Sequence, residues 1–402
     1  MNIATQPQVG FAASGLNPDV LSAVAAAGLT VPTPIQAKAI PIALQDLDLI
    51  GIAQTGTGKT LAFGLPLIDK LLGSKGNALI LAPTRELALQ IEQSLHVITS
   101  RLRTKLFTTT IIGGMSASNQ IRDIRRNPRI IVATPGRLWQ HVYERTINLS
   151  SITTLIIDEA DRMHDMGFLP QIRRIIDVLP SERQTMLFSA TMSDEVARLA
   201  GEYMYEPLRV EVARPGTAAS DIDQKLCYVE SNRKQEMLER ILHANPGSVL
   251  VFSRTKHGAS KLNRQLQISG HAATEIHSNK SLSQRRLALA GFKSGKFRVL
   301  IATDIAARGI DVEDIALVVN YDLPDVAEDY IHRIGRTGRA GKSGQAISMA
   351  EPSQKRDVRA IESLLNREIP LSEFSEAVAV RSAPSNATGV TRGWRPRGRF
   401  RR

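Results

Sequence analysis

Cysteine is almost absent from this chain of 402 residues, which contains only Cys227. A single cysteine excludes an intrachain disulfide and a cysteine-based zinc cluster, and it fits a reducing compartment. Long apolar runs are also missing, because none reaches the roughly 18 residues that a membrane-spanning helix needs. The first basic residue is Lys38, so the early alanine-rich stretch has no basic segment of a signal peptide before it. These absences lead us to expect a cytoplasmic protein.

Acidic residues are missing from residues 381–402, a segment that holds seven arginines. The whole chain has 51 basic and 39 acidic residues and a net charge of +12, and without this segment 44 basic residues leave +5. The segment is rich in Gly, Pro and Ser and has no apolar period, so residues 371–402 are predicted to be mostly a disordered basic tail. Such a tail suits nonspecific binding of nucleic acid, and a plain solubility segment is the alternative.

Short Val-, Ile- and Leu-rich runs alternate with helical patterns along the rest of the chain. The predicted strands are 47–53, 78–82, 107–112, 129–134, 153–158 and 184–189, then 225–230, 248–253, 297–302, 315–320 and 344–349. Helical patterns such as 85–95, 163–179 and 233–243 lie between them. Runs of this kind are typical of parallel strands that are buried on both faces and joined by crossover helices. We predict two α/β domains, 1–212 and 222–370, joined by a linker at 213–221.

The sharpest local signal is a glycine-rich segment between a predicted strand and a predicted helix. Its residues are Ala53, Gln54, Thr55, Gly56, Thr57, Gly58, Lys59 and Thr60. Backbone N–H groups in such a turn can hold phosphate oxygens, and the following helix N-terminus favours negative charge. Lys59 adds a positive charge and the Thr60 hydroxyl can ligate Mg²⁺. The general P-loop pattern begins with glycine, and this chain has Ala53 there, so a chance Gly/Thr turn is the alternative.

A second candidate anchor for Mg²⁺ follows the predicted strand 153–158. The strand ends at Asp158, which could reach the metal directly or through its water, and Glu159 could accept a proton from an attacking water. The alternative is an acidic helix start that favours the helix dipole. The P-loop and this acidic pair together favour the metal site.

With these residues the chain resembles the DEAD-box RNA helicases of helicase superfamily 2. The segment Asp158-Glu-Ala-Asp161 carries the resemblance together with the P-loop, and other motifs follow in order over about residues 11–341. They are Phe11 with 28–36 (the Q motif), 83–87 (Ia), Gly113-Gly114 (GG), 134–137 (Ib), 189–191 (III), 251–254 (IV), 302–311 (V) and 332–339 (VI). The short arginine-rich tail makes it similar to a compact bacterial member. The resemblance implies two tandem RecA-like domains, with ATP and RNA sites at the cleft between them.

The resemblance assigns residues to the ATP site. Gln36 would select adenine, since its amide offers a donor and an acceptor together, and Phe11 would stack on the base. The alternatives are a core anchor for Phe11 and a surface helix glutamine for Gln36. Asp311 would bind the ribose, and Arg336 and Arg339 would stabilise the charge that develops in phosphoryl transfer, with a solvated basic loop as the alternative. The expected catalytic set is Glu159, Lys59, Asp158, Arg336 and Arg339.

The resemblance also assigns residues to RNA and to coupling between domains. The RNA set is Thr84, Arg85, Gly114, Thr134, Gly136, Arg137, Arg254 and Thr303. Most of these offer amides, hydroxyls or guanidinium groups, which suit phosphate and ribose rather than base edges. The coupling set is Ser189, Thr191, His332 and Arg333, in which the last two would tie the DEAD segment to the second domain.

The sequence therefore predicts an RNA-dependent ATPase that uses ATP and Mg²⁺ to separate short RNA duplexes or remodel RNA–protein complexes. An ATP-controlled RNA clamp or chaperone without productive unwinding is one alternative. A DNA translocase of the same superfamily is another.

Overall fold

The structure, a computed structural model, describes residues 10–54, 56–212, 222–307, 315–338 and 344–375. The predicted linker, residues 376–402 of the predicted tail, and three predicted site residues (Thr55, Asp311 and Arg339) lie outside these ranges. No helix of the described residues is both long and apolar enough to cross a membrane.

The first half of the chain builds a parallel sheet of seven strands. In chain order they are β1 (Leu49–Ile52), β2 (Asn77–Leu81), β3 (Thr108–Ile111), β4 (Ile130–Ala133), β5 (Ile152–Asp158), β6 (Gln184–Ser189) and β7 (Leu208–Glu211). Their order across the sheet is β3-β4-β2-β5-β6-β1-β7. Every pairing is parallel, so the carboxyl ends of the strands meet at one edge of the sheet.

Nine α-helices within the described residues accompany this sheet. They are α1 (Pro18–Ala26), α2 (Pro34–Ala43), α3 (Lys59–Gly73), α4 (Arg85–Thr99), α5 (Ala117–Ile124), α6 (Pro135–Tyr143), α7 (Ala160–Asp165), α8 (Leu169–Ile176) and α9 (Asp194–Tyr203). Several begin at residues that favour a helix start. The Thr84 side chain caps α4, and Pro34 and Pro135 occupy first positions of α2 and α6, where a missing N–H costs nothing.

The second half builds a parallel sheet of six strands. They are β8 (Ile222–Tyr228), β9 (Val249–Phe252), β10 (Ala273–Ile276), β11 (Val299–Ala302), β12 (Leu317–Asn320) and β13 (Gly344–Ala350), in the order β10-β11-β9-β12-β13-β8. The helices are α10 (Lys234–Ala244), α11 (Lys256–Ile268), α12 (Leu282–Lys293), α13 (Asp304–Ala307), α14 (Ala327–Ile334) and α15 (Lys355–Leu365). Each sheet has an apolar cluster on both faces, as parallel sheets with helices on both sides require.

The predicted strands are all present, with ends displaced by up to three residues. Two short edge strands, β7 and β10, were not predicted. The helix predicted over 163–179 is wrong, because two helices, α7 and α8, cover this region. The chain turns between them at Gly167, whose φ of +72° is a left-handed conformation that glycine adopts without strain.

Candidate active site

The P-loop residues lie where the strand–turn–helix pattern predicts, between β1 and α3. Gly56 and Gly58 have φ angles of +84° and +91°, so the turn depends on glycine. Lys59, the first residue of α3, is buried, and its Nζ donates to the carbonyl oxygen of Ala53 at 2.8 Å. The ammonium group of Lys59 thus contacts the backbone of the turn.

The acidic segment lies at the end of β5, separated from β1 by β6 alone. Asp158 is 2% exposed, and its Oδ1 has no hydrogen-bond partner within the described residues. Burial raises the pKa of Asp158 to about 7, although the nearby Lys59 charge opposes this shift. A buried carboxylate oxygen that lacks a partner fits a cation ligand, because burial of an uncompensated charge is costly. Asp158 thus fits the Mg²⁺ that the P-loop implies.

Glu159 occupies the turn between β5 and α7 with φ +55° and ψ +53°, a left-handed conformation that is uncommon for a residue other than glycine. Such strained positions concentrate at functional sites. Its carboxylate is buried and forms an ion pair with Arg162 at 2.5 Å. Sequence reasoning did not identify Arg162, although a partner three residues along a helix lies within reach of Glu159.

Asp161 connects the acidic segment to the end of β6. Its Oδ2 accepts hydrogen bonds from the Thr191 N–H at 2.9 Å, the Thr191 hydroxyl at 3.0 Å and the Ala190 N–H at 3.1 Å. The Asp161 N–H donates to Ser189 Oγ at 3.2 Å. Burial acts to raise the pKa of Asp161, but the Lys59 charge and the hydrogen bonds from Thr191 and Ser189 outweigh it and lower that pKa. Ser189 and Thr191, expected to couple domains, therefore contact the acidic segment of their own domain.

Gln36 contacts the P-loop rather than lying free on a helix surface. Its Nε2 donates to the Gly58 carbonyl at 3.0 Å, and its Oε1 accepts from the Thr33 N–H at 2.9 Å. The second bond is half of a capping box at the start of α2. The Thr-x-x-Gln spacing is typical of a capping box and could have identified the bond between Thr33 and Gln36. Phe11 is 5% exposed and packs in the apolar core with Val20, which is the position that the core-anchor alternative describes.

Arg333 is wholly engaged within the second sheet, which differs from its expected position as a tie to the DEAD segment. Its guanidinium holds Asp304 at 2.5 and 2.7 Å, Asn320 at 3.2 Å and the Asp322 carbonyl at 2.6 Å. With these contacts it has few donors left for another domain. The Arg333–Asp304 pair instead fixes the predicted motif VI to motif V. His332 Nδ1 lies 3.9 Å from a carboxylate oxygen of Asp329 in the same helix.

The predicted RNA residues lie at the carboxyl edges of both sheets. Thr84 and Arg85 follow β2, Gly114 follows β3 and residues 134–137 follow β4, while Arg254 and Thr303 follow β9 and β11. Thr84 is buried, and its hydroxyl accepts from the Leu87 N–H, so the hydroxyl serves the helix as a cap. Gly114 favours glycine, because its φ of +81° is a left-handed conformation that strains other residues.

The two sheets meet through α4 and α12. Arg285 near the start of α12 lies 2.9 Å from Glu86 near the start of α4, and both side chains are about 10% exposed. Leu282 of α12 belongs to an apolar cluster of the first sheet. The start of each helix lies beyond the carboxyl end of a strand, so the two carboxyl edges that carry the predicted residues approach each other here.

Comparison with known proteins assigns the family. Residues 33–199 match the DEAD/DEAH box helicase family and residues 233–341 match the helicase conserved C-terminal domain. The DEAD-box ATP-dependent RNA helicase CshA of Bacillus subtilis (strain 168) is 43% identical over 364 residues, which cover 90% of this chain and 73% of that protein.

Two solved structures show the same fold with ligands bound. Dbp5 of S. cerevisiae bound to RNA and ADP BeF3 is 31% identical, with a TM-score of 0.79 over 90% of this chain and 95% of that one. Mss116p bound to ssRNA and AMP-PNP is 28% identical, with a TM-score of 0.81 over 92% of this chain and 80% of that one. Both α/β domains are therefore RecA-like, and the chain belongs to the DEAD-box ATP-dependent RNA helicases.

Proposed function

We propose that the carboxyl edge of the first sheet binds ATP with Mg²⁺, and that hydrolysis there drives local separation of short RNA duplexes. The observation that carries this proposal is the buried Oδ1 of Asp158 at the end of β5, which has no hydrogen-bond partner within the described residues and lies near Lys59 of the P-loop. A lysine for phosphate oxygens and a carboxylate that lacks a partner are the two charges that a nucleotide with its metal ion needs. A structural ion pair would have satisfied both groups internally.

The proposed roles follow from these positions. Lys59 and the glycine turn hold the phosphates, while Thr60 and Asp158 hold Mg²⁺, which neutralises phosphate charge when it is bound. Glu159 accepts a proton from the attacking water, and its ion pair with Arg162 keeps the carboxylate beside Asp158. We retain Arg336 and Arg339 as the cations that the second domain contributes, and Asp311 as the ribose ligand. Gln36 and Phe11 are retained near adenine, with Gln36 supporting the P-loop as well.

We propose that closure of the two domains couples ATP to RNA. The Glu86–Arg285 ion pair joins the domains next to Thr84 and Arg85, two of the proposed RNA residues. Asp161, in the same acidic segment as the proposed metal ligand Asp158, is hydrogen-bonded to Ser189 and Thr191. A change at the phosphates therefore reaches the end of β6. Ligands that favour the closed state then bind cooperatively by linkage. The boundaries 1–212 and 222–370, with 213–221 as a linker, stay part of this proposal, as does a cytoplasmic location.

Glu159→Gln tests the site directly. The variant keeps the side-chain shape but removes the proton acceptor, so single-turnover ATP hydrolysis should slow by about 10² or more, while ATP and RNA binding persist. Glu182→Gln, at an exposed residue before β6, is the matched control and should hydrolyse ATP normally. Normal hydrolysis by Glu159→Gln would contradict the proposed role. With the unsubstituted protein, stimulation by RNA but not DNA excludes a DNA translocase, and unwinding of a short duplex excludes a mere clamp.

We also propose that the basic tail raises RNA affinity without contributing to the ATP site. Each neutralised phosphate on a single strand changes the slope of log K against log salt by about 0.7, so seven arginines give at most about 5 units. Trp394 and Phe400 could add stacking on unpaired bases. Because a tail rarely engages every charge at once, deletion of residues 381–402 should lower the slope by about 2–4 units. ATPase activity at saturating RNA should survive, and an unchanged slope would leave the tail as a solubility segment.

A further inference from the structure

The net positive charge outside residues 381–402 is concentrated in one stretch of the first domain. Residues 93–143 contain eight basic residues and one acidic residue, Asp123. Outside this stretch and residues 381–402, the chain has 36 basic and 38 acidic residues and is nearly neutral. The net charge of +5 that remains without residues 381–402 therefore arises wholly from this stretch.

Two of the eight basic residues already have another role. Arg129 donates to the carbonyls of Leu71, Ser74 and Gly76, where it closes the end of α3. Arg137 belongs to the proposed RNA set. The other six side chains are exposed, and we name them the β3-edge surface: Arg101, Arg103, Lys105, Arg122, Arg125 and Arg126.

The fold brings the two halves of the β3-edge surface together. The Arg129 N–H donates to the Phe107 carbonyl at 2.9 Å, which places the segment before β3 beside the segment before β4. The Arg126 guanidinium lies 4.0 Å from the centre of the Phe107 ring. β3 is the outer strand of its sheet, so both segments lie at an edge that no other described strand covers.

Acidic side chains compensate little of this charge. Asp123, at 3.7 Å from Arg126, provides the one ion pair that the described residues give this surface. Arg103, Lys105, Arg122 and Arg125 have neither an ion pair nor a side-chain hydrogen bond within the part of the chain that the structure describes. Uncompensated charges of one sign repel each other in the free protein, and a polyanion relieves that repulsion.

The chemistry beside these charges suits a nucleic-acid backbone. A cleft of about 240 Å³ next to Arg126 is lined mainly by hydroxyl and amide side chains such as Thr108, Thr110 and Asn119, together with Glu92, Asp123, Phe107 and Met115. The Thr108 Oγ1 is buried and has no hydrogen-bond partner within the described residues. No large apolar side chain is exposed in segments 101–107 and 122–126, whereas the centre of a protein–protein interface is apolar and depleted in charge. An RNA backbone therefore fits better than an acidic protein.

We propose that the β3-edge surface is a second RNA-backbone site, which holds RNA that extends beyond the core contacts. It is continuous with the proposed RNA residue Gly114, because α5 begins three residues later and runs back along β3 to Arg125. Eight helical residues at 1.5 Å each cover about 12 Å. The β3-edge surface thus lies a short distance along β3 from Gly114 of the proposed RNA set. The inference rests on the proposed function.

The test removes three charges that have no partner in the described structure. The variant Arg103→Gln/Lys105→Gln/Arg125→Gln is compared with Lys355→Gln/Arg356→Gln/Arg359→Gln, which removes the same charge from exposed positions of α15. Binding of a short RNA that fills the core and of a long single strand is measured in the full chain at several salt concentrations, with a non-hydrolysable ATP analogue. Thermal unfolding checks that both variants are folded.

We expect the first variant to lose about 2 units of salt slope and about tenfold in affinity for the long RNA, from three contacts at about 0.7 each. Short-RNA binding and the α15 variant should match the unsubstituted protein. Equal losses in both variants, or equal losses on short and long RNA, would overturn the proposal. So would unchanged RNA binding, which would leave an acidic protein as the partner. ATPase at saturating RNA separates the two proposals: if the unsubstituted protein shows no RNA stimulation, the proposed function fails, whereas normal stimulation with unchanged slopes refutes only this surface.

Discussion

The two sheets repeat one scaffold. Strands β3-β4-β2-β5-β6-β1 of the first correspond in order to β10-β11-β9-β12-β13-β8 of the second. Even a supporting arginine is repeated, since Arg129 before β4 and Arg298 before β11 each hold three backbone carbonyls near the end of a preceding helix. Those carbonyls belong to Leu71, Ser74 and Gly76 in the first domain and to Leu242, Asn245 and Gly247 in the second.

The two domains differ in the segment that joins their first strand to the next helix, from β1 to α3 and from β8 to α10. We call each of these segments, with the charged side chains around it, a corner. Helices α3 and α10 both begin with a buried lysine, Lys59 and Lys234. Lys59 follows a glycine turn and lies near Asp158, one oxygen of which has no hydrogen-bond partner in the part of the chain that the structure describes. Lys234 has no glycine turn before it and pairs with Asp322 at 3.2 Å and Glu351 at 3.8 Å. A candidate ligand site exists where the scaffold leaves charges unsatisfied, and the same corner becomes structural where acids of the chain satisfy them.

The second corner still supports a proposed functional residue. Asp322 accepts from the Arg254 N–H at 3.0 Å through its other carboxylate oxygen, and its carbonyl accepts from Arg333. The Lys234 ion pair therefore fixes the loop that carries Arg254, one of the proposed RNA residues. The corner equivalent to the proposed ATP site thus positions the loop that carries Arg254.

Replacing each lysine with methionine gives the largest expected effect and tests whether the two corners differ in function. Lys59→Met should lower single-turnover ATP hydrolysis by about 10² or more, because the cation proposed to hold the phosphates is lost, with little loss of stability. Lys234→Met should leave hydrolysis by the folded protein nearly normal but destabilise it by about 2–3 kcal/mol, since partly buried acids lose their cation. ATPase assays and chemical unfolding separate the two outcomes. Similar ATPase losses in both variants would show that the corners do not differ in function.

Continuous apolar runs such as β6 could be predicted because a strand buried on both faces needs them. Strand β7 could not, since it has only four residues at an edge of the sheet, of which only Val210 is buried. The break between α7 and α8 was missed because the apolar period continues across Gly167. The P-loop and acidic segment are local patterns and were identified, whereas the Arg333–Asp304 pair joins residues 29 positions apart through tertiary packing.

The smallest expected effect concerns Gln36, which supports the glycine turn of the first corner. Gln36→Ala removes its hydrogen bonds to Gly58 and Thr33. Only the bond to Gly58 supports the P-loop, and at about 0.5–1.5 kcal/mol for this one bond nucleotide affinity should fall by up to about tenfold for ATP and GTP alike. The proposed adenine contact adds a loss for ATP alone, so the ratio of the ATP and GTP affinities measures base recognition separately from P-loop support. If both affinities fell by the same factor, Gln36 would be a support of the P-loop without a role in base selection, and if neither fell, the glycine turn would not depend on it.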